Sequence, residues 1–176
     1  MMTMLPIAAK PRIVLVGAPG AGKSTVGPLL AELLGEPFRD TDHDVEAITG
    51  MTIADLFIER GEPYFRELEA EAVRAALASH AGVLSLGGGA ILRPETRTAL
   101  CGHTVGYLRV DLAEAARRVG MNAPRPLLLG NVRAQLNELF QQRTPLYEEV
   151  ATIVVDAGTQ PAEEVAAMLA KELPAR

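Results

Sequence analysis

Short apolar runs alternate with longer stretches of helical periodicity along this chain. The runs are rich in branched residues and bounded by glycine or polar residues, a pattern typical of β-strands. The stretches between them predict helices that connect one strand to the next. The predicted strands span 12–16, 37–40, 82–86, 104–109 and 151–155. This alternation predicts an α/β layered domain with a mostly parallel sheet.

Segment 62–79 shows clear helical periodicity, because its apolar residues recur at helical spacing and form one stripe. Arg66 and Glu69 lie beside this stripe, three residues apart, where their side chains can pair. Segment 52–60 predicts a shorter helix, with Thr52 as its N-cap and a glycine after its last residue. Both helices are predicted to precede the third strand.

The segment 120–130 breaks the helical pattern. Glycines lie at both of its ends and two prolines lie inside it, which disfavours a regular helix. An ordinary surface loop is one interpretation. We favour a mobile lid over about 120–132, because Arg125 lies between the two prolines and closure of a lid excludes water from a phosphoryl-transfer site.

Composition and charge exclude several classes of protein. The chain has 176 residues, of which 48% are hydrophobic, so it is long and apolar enough to bury a core. The net charge of −5 argues against a nucleic-acid binder, and no apolar run reaches membrane-spanning length. Cys101 is the single cysteine, which excludes an internal disulfide and fits a reducing cytoplasm, and we expect it to be buried.

The segment after the first predicted strand matches the phosphate-binding pattern G-x-x-x-x-G-K-[ST], from Gly17 to Ser24. A strand precedes it and a helix over 26–34 is predicted to follow, so a plain glycine-rich turn is the weaker interpretation. Glycines let the backbone N–H groups point at phosphate oxygens, and the helix dipole adds positive potential. Lys23 would reach the β- and γ-phosphates and the Ser24 hydroxyl would ligate Mg²⁺. The pattern predicts binding of a nucleoside triphosphate.

Two carboxylates, Asp40 and Asp42, follow the second predicted strand. Loops after parallel strands gather at one edge of the sheet, so both lie near the phosphate loop. Asp40 is a candidate to hold Mg²⁺, directly or through water. Asp42 has two interpretations: it can accept a hydrogen bond from a substrate hydroxyl and act as its base, or it can cap a helix that starts at His43.

The third predicted strand runs into three glycines, Gly87, Gly88 and Gly89. Many proteins that hydrolyse nucleotides end this strand in an aspartate for Mg²⁺, so its absence shifts the metal-binding duty to Asp40. Three successive glycines are costly in conformational entropy as a plain turn. We therefore predict that their backbone approaches a ligand closely.

Four arginines complete the candidate chemistry. Arg125 on the lid can stabilise charge on the γ-phosphate during transfer. Arg66 and Arg143 are suited to bidentate recognition of a carboxylate, and Arg118 to a position against an adenine ring. The spacing alone does not distinguish Arg66 and Arg143 from solvated surface arginines.

Taken together, these motifs resemble the shikimate kinase family. The motifs that carry the resemblance are Asp40-Thr41-Asp42, Phe65-Arg66-Glu67-Leu68-Glu69, Gly87-Gly88-Gly89, Arg125-Pro126-Leu127 and Arg143-x-Pro145-Leu146-Tyr147, in this order after the phosphate loop. The resemblance covers residues 11–155. It implies a three-layer αβα P-loop kinase fold with a central five-stranded parallel sheet and a mobile lid. It also implies Mg²⁺-dependent transfer of phosphate from ATP to the 3-hydroxyl of shikimate, in the pathway to aromatic amino acids.

The resemblance implies roles for individual residues of this sequence. Catalysis involves Lys23, Asp42 and Arg125. The ATP site comprises Gly20, Ala21, Gly22, Lys23, Ser24, Thr25, Arg118 and Arg125. The shikimate site comprises Asp42, Phe57, Phe65, Arg66, Gly87, Gly88, Gly89, Leu127 and Arg143. Mg²⁺ is held by Ser24 and Asp40. Glu69 is implied to orient Arg66, and the region that binds the acceptor spans about 42–70.

The resemblance also implies a single kinase domain over 11–176, after a flexible N-terminal extension over 1–10 that is too short for a secretory signal. We expect a cytoplasmic monomer that binds no nucleic acid and no membrane. One departure is that Pro124 precedes Arg125, which stiffens the lid tip. A second is that the loop 156–161 has no basic residue, so adenine contacts there come from the backbone or from Gln160.

Rival functions make different demands on the sequence. A kinase for another small hydroxylated acceptor, such as gluconate, would share the loop and the lid without combining the two arginines with the glycine triplet. A GTPase-like switch needs a guanine-reading Asn/Thr-Lys-x-Asp segment, and the sequence has none. A passive nucleotide-binding module would need neither Asp42 nor Arg125.

Overall fold

Five strands form one parallel sheet in the computed structural model, which describes residues 9–122 and 132–175. The strands are β1 (Ile13–Val16), β2 (Phe38–Asp40), β3 (Val83–Ser85), β4 (Val105–Arg109) and β5 (Ile153–Asp156). Each lies within or next to a predicted run, so the short apolar runs located all five. Their order across the sheet is β2-β3-β1-β4-β5.

Helices connect successive strands and cover both faces of the sheet. They are α1 (Lys23–Leu34), α2 (Thr41–Thr49), α3 (Ile53–Arg60), α4 (Glu62–Ser79), α5 (Pro94–Leu100), α6 (Leu112–Asn122), α7 (Val132–Val150) and α8 (Ala162–Glu172). A 3₁₀ turn over Ala90–Leu92 follows the glycine triplet. The predicted N-cap of α3 is confirmed, because Oγ1 of Thr52 accepts a hydrogen bond from the N–H of Asp55 at 3.1 Å.

The central strand β1 shows why the sheet is buried on both sides. Ile13 and Leu15 pack into a core with α1 and α8, whereas Val14 and Val16 point into a second core with α4 and α7. Successive side chains of a strand point to opposite faces, so a strand covered on both faces has a continuous apolar run. The three-layer αβα fold is therefore confirmed.

The strand order places two loops side by side at the carboxyl edge of the sheet. Strand β3 lies between β1 and β2, with Ser85 paired to Leu15 on one side and to Asp40 on the other. The chain moves from β1 toward one edge of the sheet, and later to the opposite edge with β4 and β5. Ligands of open α/β sheets bind where the strand order reverses in this way. Here that point lies between the phosphate loop after β1 and the glycine triplet after β3.

Two expectations need correction. Cys101 is exposed instead of buried, because it follows the last residue of the surface helix α5 and caps it. The first three residues of the predicted irregular segment, 120–122, are helical, because α6 continues to Asn122.

Residues 123–131 of the predicted lid, with Arg125 and Leu127, lie outside the described residues, as do residues 1–8 of the N-terminal extension, and residue 132 begins α7. Within the described part of the chain, no helix is long and apolar enough to cross a bilayer.

Candidate active site

The phosphate loop has the backbone that its pattern predicts. Gly20 and Gly22 have φ angles of 82° and 95°, in the left-handed region that favours glycine. Gly22 is the N-cap of α1, which begins at Lys23, three residues earlier than the apolar pattern indicates. The N-terminus of α1 therefore points into a cavity of about 650 Å³ at the carboxyl edge of the sheet. Its position suits an anion.

Most of the predicted site residues line this one cavity. They are Gly20, Ala21, Gly22, Lys23, Ser24, Thr25, Asp40, Asp42, Gly87, Gly88, Arg118 and Gln160. They lie at the end of β2 or after β1, β2, β3 and β5, in the following loops or in the first turns of the following helices, except for Arg118, which lies on α6. The phosphate loop and the glycine triplet thus share one space.

The ammonium group of Lys23 is folded back onto its own loop. Its Nζ donates to the carbonyl of Gly17 at 2.6 Å and to that of Ala18 at 3.3 Å. Burial lowers the pKa of Lys23 to about 8, and the charges of Asp42 and Asp40 act in the opposite direction. Lys23 is therefore a cation near neutral pH, and among the described residues no carboxylate forms a direct ion pair with it.

Asp40 and Asp42 have different roles in helix α2. The Oδ1 atom of Asp40 accepts a hydrogen bond from the N–H of Asp42 at 2.8 Å, so Asp40 is the N-cap. The interpretation of Asp42 as the cap of a helix starting at His43 is therefore wrong. Burial, reinforced by the charge of Asp40, raises the pKa of the Asp42 carboxyl, while Lys23 opposes the rise.

The glycine triplet lies where charged side chains converge. A Cβ atom built on Gly87 would lie 2.6 Å from Oδ1 of Asp42 and 2.9 Å from Oε2 of Glu69. A Cβ atom on Gly89 would collide with the guanidinium of Arg66. Any side chain at these two positions would displace a charged group, so the close approach explains the glycines better than turn geometry does.

Arg66 is held by two carboxylates of its own helix. Its Nη1 donates to Glu69 at 2.8 Å and its Nη2 to Glu62 at 3.2 Å. The rings of Phe57 and Phe65 lie beside the guanidinium, at 5.9 and 5.2 Å from its carbon to the ring centroids. The predicted pairing of Arg66 with Glu69 is confirmed. Glu69 is buried, however, whereas the sequence placed it at the edge of the apolar face of the helix. Its burial raises its pKa, and Arg66 opposes the rise.

Arg143 approaches the same triplet from helix α7. It is only 9% exposed, and its Nε has no hydrogen-bond partner among the described residues. A Cβ atom built on Gly88 would lie 3.5 Å from its Nη1. A buried guanidinium with an unsatisfied donor is costly unless a ligand pairs with it. The fold thus brings Arg66 and Arg143 to adjacent glycines, although they are 77 positions apart in the sequence (143 − 66).

Arg118 joins the two loops at the nucleotide end of the cavity. Its Nη1 donates to the carbonyl of Gly20 at 2.9 Å and its Nη2 to that of Ala157 at 2.8 Å. Glu114, one turn earlier on α6, accepts from Nε of Arg118 at 2.9 Å. The guanidinium plane is therefore fixed between the phosphate loop and the loop after β5, where Gln160 also lines the cavity.

Ser24 and Asp40 provide oxygen atoms of the kind that Mg²⁺ binds. Ser24 is exposed at the cavity, and one Asp40 oxygen is oriented by the N–H of Asp42. The structure contains no group of three or more acidic, histidine or cysteine side chains that could hold a metal within its described residues. The pair nevertheless fits Mg²⁺, which commonly uses one or two protein oxygens with water and substrate phosphates.

The sequence did not predict two hydrogen bonds of this site. Tyr147 donates a hydrogen bond from its hydroxyl to the carbonyl of Gly88 at 2.5 Å. Glu114 orients Arg118. A signal for Tyr147 was present, because it lies four residues after Arg143 and so faces the same side of a helix. Glu114 has the same spacing to Arg118.

Comparisons with known proteins now bear on this geometry. A protein-family model described as "Shikimate kinase" matches residues 19–174. The chain is 60% identical over 164 residues to a shikimate kinase of Salinispora arenicola, which covers 91% of this chain and 98% of that protein. It is 53% identical over 169 residues to the shikimate kinase of Thermobifida fusca, covering 96% and 98% respectively.

The chain belongs to the shikimate kinase family. The resemblance carried by the motifs is thus confirmed, and so is the class of enzyme, a phosphotransferase of the kinase type. The shikimate kinase of Acinetobacter baumannii, solved in complex with shikimate, superimposes with a TM-score of 0.84 at 37% identity, covering 94% of this chain and 96% of that chain.

A gluconokinase from Sinorhizobium meliloti is also similar, with a TM-score of 0.56, 23% identity and coverage of 94% and 95%. At that identity the likeness shows a shared fold alone, so it does not support the gluconate alternative.

Proposed function

We propose that this member of the shikimate kinase family transfers the γ-phosphoryl group of ATP to the 3-hydroxyl of shikimate, giving shikimate 3-phosphate and ADP. The observation that carries the proposal is the position of Gly88. A Cβ atom on Gly88 would lie 3.2 Å from Cδ of Pro19 in the phosphate loop and 3.5 Å from Nη1 of Arg143. A phosphate site and a carboxylate-binding arginine therefore border the same residue, which supports transfer between two bound substrates.

At the phosphate end, the loop over 20–25 cradles the triphosphate with its N–H groups and with the N-terminus of α1. Lys23 exchanges the carbonyls of Gly17 and Ala18 for phosphate oxygens and stabilises the charge there. Ser24 and Asp40 would hold Mg²⁺, which when bound neutralises charge on the phosphate oxygens.

At the acceptor end, Arg66 and Arg143 pair with the carboxylate of shikimate. Both lie beside the glycine triplet, and a planar guanidinium matches a carboxylate with two parallel hydrogen bonds. Glu69 keeps Arg66 in place through a buried ion pair of 2.8 Å. Phe57 and Phe65, whose ring centroids are 4.9 Å apart, form the apolar wall of this end.

Asp42 lies between the two ends and accepts a hydrogen bond from the reacting hydroxyl. Two roles are open to it: removal of the proton, or orientation of the hydroxyl alone. A raised pKa favours a proton acceptor, whereas a dissociative transition state needs little help from a base. In both roles, Asp42→Asn lowers kcat and leaves the binding of ATP largely intact.

The remaining residues enclose the nucleotide and the reacting atoms. Arg118 flanks adenine with its fixed guanidinium, and Gln160 adds a polar contact from the loop after β5. Arg125 and Leu127, in the segment between α6 and α7, are proposed to belong to a lid over the site, with Arg125 acting on the transferred phosphate. The enzyme acts as one kinase domain over 11–176 and as a monomer.

A coupled assay of ADP release tests the proposed function. Shikimate, quinate and gluconate are compared as acceptors at equal concentration with ATP and Mg²⁺, and a reaction without acceptor measures ATP hydrolysis. We expect fast ADP release with shikimate. In Asp42→Asn we expect slower ADP release with little change in the affinity for ATP, which distinguishes a loss of transfer from a loss of ATP binding. Equal ADP release with and without shikimate would contradict the proposal, and faster release with gluconate would favour the alternative acceptor.

A further inference from the structure

Tyr147 is a buried tyrosine whose hydroxyl is bonded to the acceptor loop. It lies on α7 and is 1% exposed, and its Oη donates to the carbonyl of Gly88 at 2.5 Å. Its ring stacks on that of Tyr107, with centroids 5.2 Å apart and an interplanar angle of 25°. Burial raises the pKa of Tyr147 to about 12, so the hydroxyl keeps its proton and remains a donor at neutral pH.

This hydrogen bond restrains a part of the backbone that has no side chains to restrain it. Glycine residues have the widest conformational freedom, and three of them in succession leave the loop after β3 free to rotate. A peptide unit is planar, so fixing the Gly88 carbonyl also fixes the direction of the Gly89 N–H on the other side of the same unit. A single hydroxyl therefore orients one peptide group of the triplet.

Helix α7 links this peptide group to the acceptor arginine. Arg143 and Tyr147 lie one helical turn apart, so their side chains emerge on the same face. Arg143 approaches Gly88 with its Nη1 and also interacts with the Tyr147 hydroxyl, which donates to the carbonyl of the same glycine. The bond thus sets the distance between the guanidinium and the glycine backbone, the two groups to which the acceptor would bind.

We propose that Tyr147 is a positioning residue for the acceptor: through the Gly88 carbonyl it holds the glycine triplet at a fixed distance from Arg143. The inference rests on the proposed function, because the acceptor in question is the one proposed above. In this role Tyr147 acts through the backbone of Gly88, whose carbonyl accepts its hydrogen bond. A purely structural tyrosine would need only its ring here, since a phenylalanine fills the same space in the core.

The test compares Tyr147→Phe with a matched control, Tyr107→Phe. Both substitutions remove one phenol hydroxyl from the same stacked pair of buried rings, but the hydroxyl of Tyr107 interacts with Thr144 and not with the triplet. Steady-state kinetics give kcat and the KM for each substrate, and calorimetric titration gives the affinity for shikimate without turnover. Thermal melting compares how much each variant loses in stability.

We expect Tyr147→Phe to raise the KM and the dissociation constant for shikimate by about tenfold, the effect of losing the hydrogen bonding of one buried hydroxyl. The KM for ATP is expected to be nearly unchanged, and Tyr107→Phe to leave both KM values nearly unchanged at a similar loss of stability. An unchanged KM for shikimate in Tyr147→Phe, or equal changes in the two variants, would overturn the inference.

The wild-type enzyme separates failure of this inference from failure of the proposed function. If the wild type releases ADP in response to shikimate and Tyr147→Phe matches it, only the role of Tyr147 is refuted. If the wild type shows no response to shikimate, the proposed function and the inference both fail.

Discussion

Arg66 illustrates how a single side chain can serve two partners at once. Its guanidinium holds Glu69 with Nη1 and Glu62 with Nε and Nη2, while it rests on the rings of Phe57 and Phe65. A lysine has one compact ammonium group and cannot form the planar fork. The geometry of arginine, beyond its charge, is therefore what this position uses.

We expect Arg66→Lys to raise the KM for shikimate by about tenfold or more, because a charge-assisted bidentate contact is lost. The KM for ATP is expected to change little. Arg93→Lys is a suitable control, since Arg93 forms an exposed ion pair with Glu67 near the same end of α4. Initial-rate kinetics with each substrate varied in turn measure both constants, and equal effects on the two KM values would contradict a role specific to the acceptor.

The pKa shifts of Lys23 and Asp42 predict that kcat/KM for the two substrates falls at opposite ends of the pH range. The pKa of Lys23 is lowered to about 8, so its positive charge is lost as pH rises through that value and kcat/KM for ATP falls on the alkaline side. The pKa of Asp42 is raised, so its carboxylate is protonated at a higher pH than an ordinary aspartate and kcat/KM for shikimate falls on the acidic side.

Profiles of kcat/KM against pH, each with the second substrate saturating, measure these two limits. Lys23→Arg is the control, because arginine stays charged throughout the range and its profile for ATP should lose the alkaline fall. A wild-type profile for ATP that is flat up to pH 10 would show that Lys23 does not titrate as described.

At the scale of elements, Asp40, the N-cap of α2, has two tasks. This carboxylate caps the helix and also lines the cavity beside Ser24. The two tasks can be separated, because asparagine caps helices as well as aspartate does but has no charge to offer a cation.

We expect Asp40→Ala to lower the free energy of unfolding by about 1 kcal/mol, and Asp40→Asn to leave it close to that of the wild type. Both variants should need a higher Mg²⁺ concentration for half-maximal activity, since each removes the negative charge. Thermal denaturation and Mg²⁺ titrations of activity check the two effects. If Asp40→Asn had the Mg²⁺ requirement of the wild type, the proposed metal role of Asp40 would be wrong.

At the scale of the whole molecule, the phosphate loop, Asp42 and the first two glycines of the triplet line one cavity, and Arg66 and Arg143 approach the same triplet. A ligand that binds the native state stabilises it by about 2.7 kcal/mol at a concentration of 100 times its Kd. For a chain of this size, that corresponds to a rise in Tm of about 5–10 °C. Nucleotide and acceptor should each produce such a rise.

We therefore expect ADP with Mg²⁺ and shikimate to raise Tm separately, and gluconate to leave it unchanged. Lys23→Ala should abolish or reduce the Tm shift with the nucleotide alone. Arg66→Lys should abolish or reduce the Tm shift with shikimate alone. Differential scanning fluorimetry measures all combinations. A shift with gluconate as large as that with shikimate would contradict the proposed acceptor.

The sequence by itself determined the local features of this protein. The apolar runs located the five strands, and the phosphate loop and the Asp-Thr-Asp and glycine motifs could be identified because each is a short stretch whose chemistry depends on neighbouring residues. It misjudged Cys101, and the alternative that Asp42 caps a helix was wrong, since exposure and the first residue of a helix depend on packing and on one hydrogen bond.

Only the tertiary structure decided which of these motifs meet. The order β2-β3-β1 places the glycine triplet beside the phosphate loop and beside Asp42. Packing of α4 and α7 then brings Arg66, Arg143 and the Tyr147 hydroxyl to successive glycines. Such contacts join residues far apart in sequence. They follow from the sheet order and from the shared core, which no local pattern of hydrophobic and polar residues encodes.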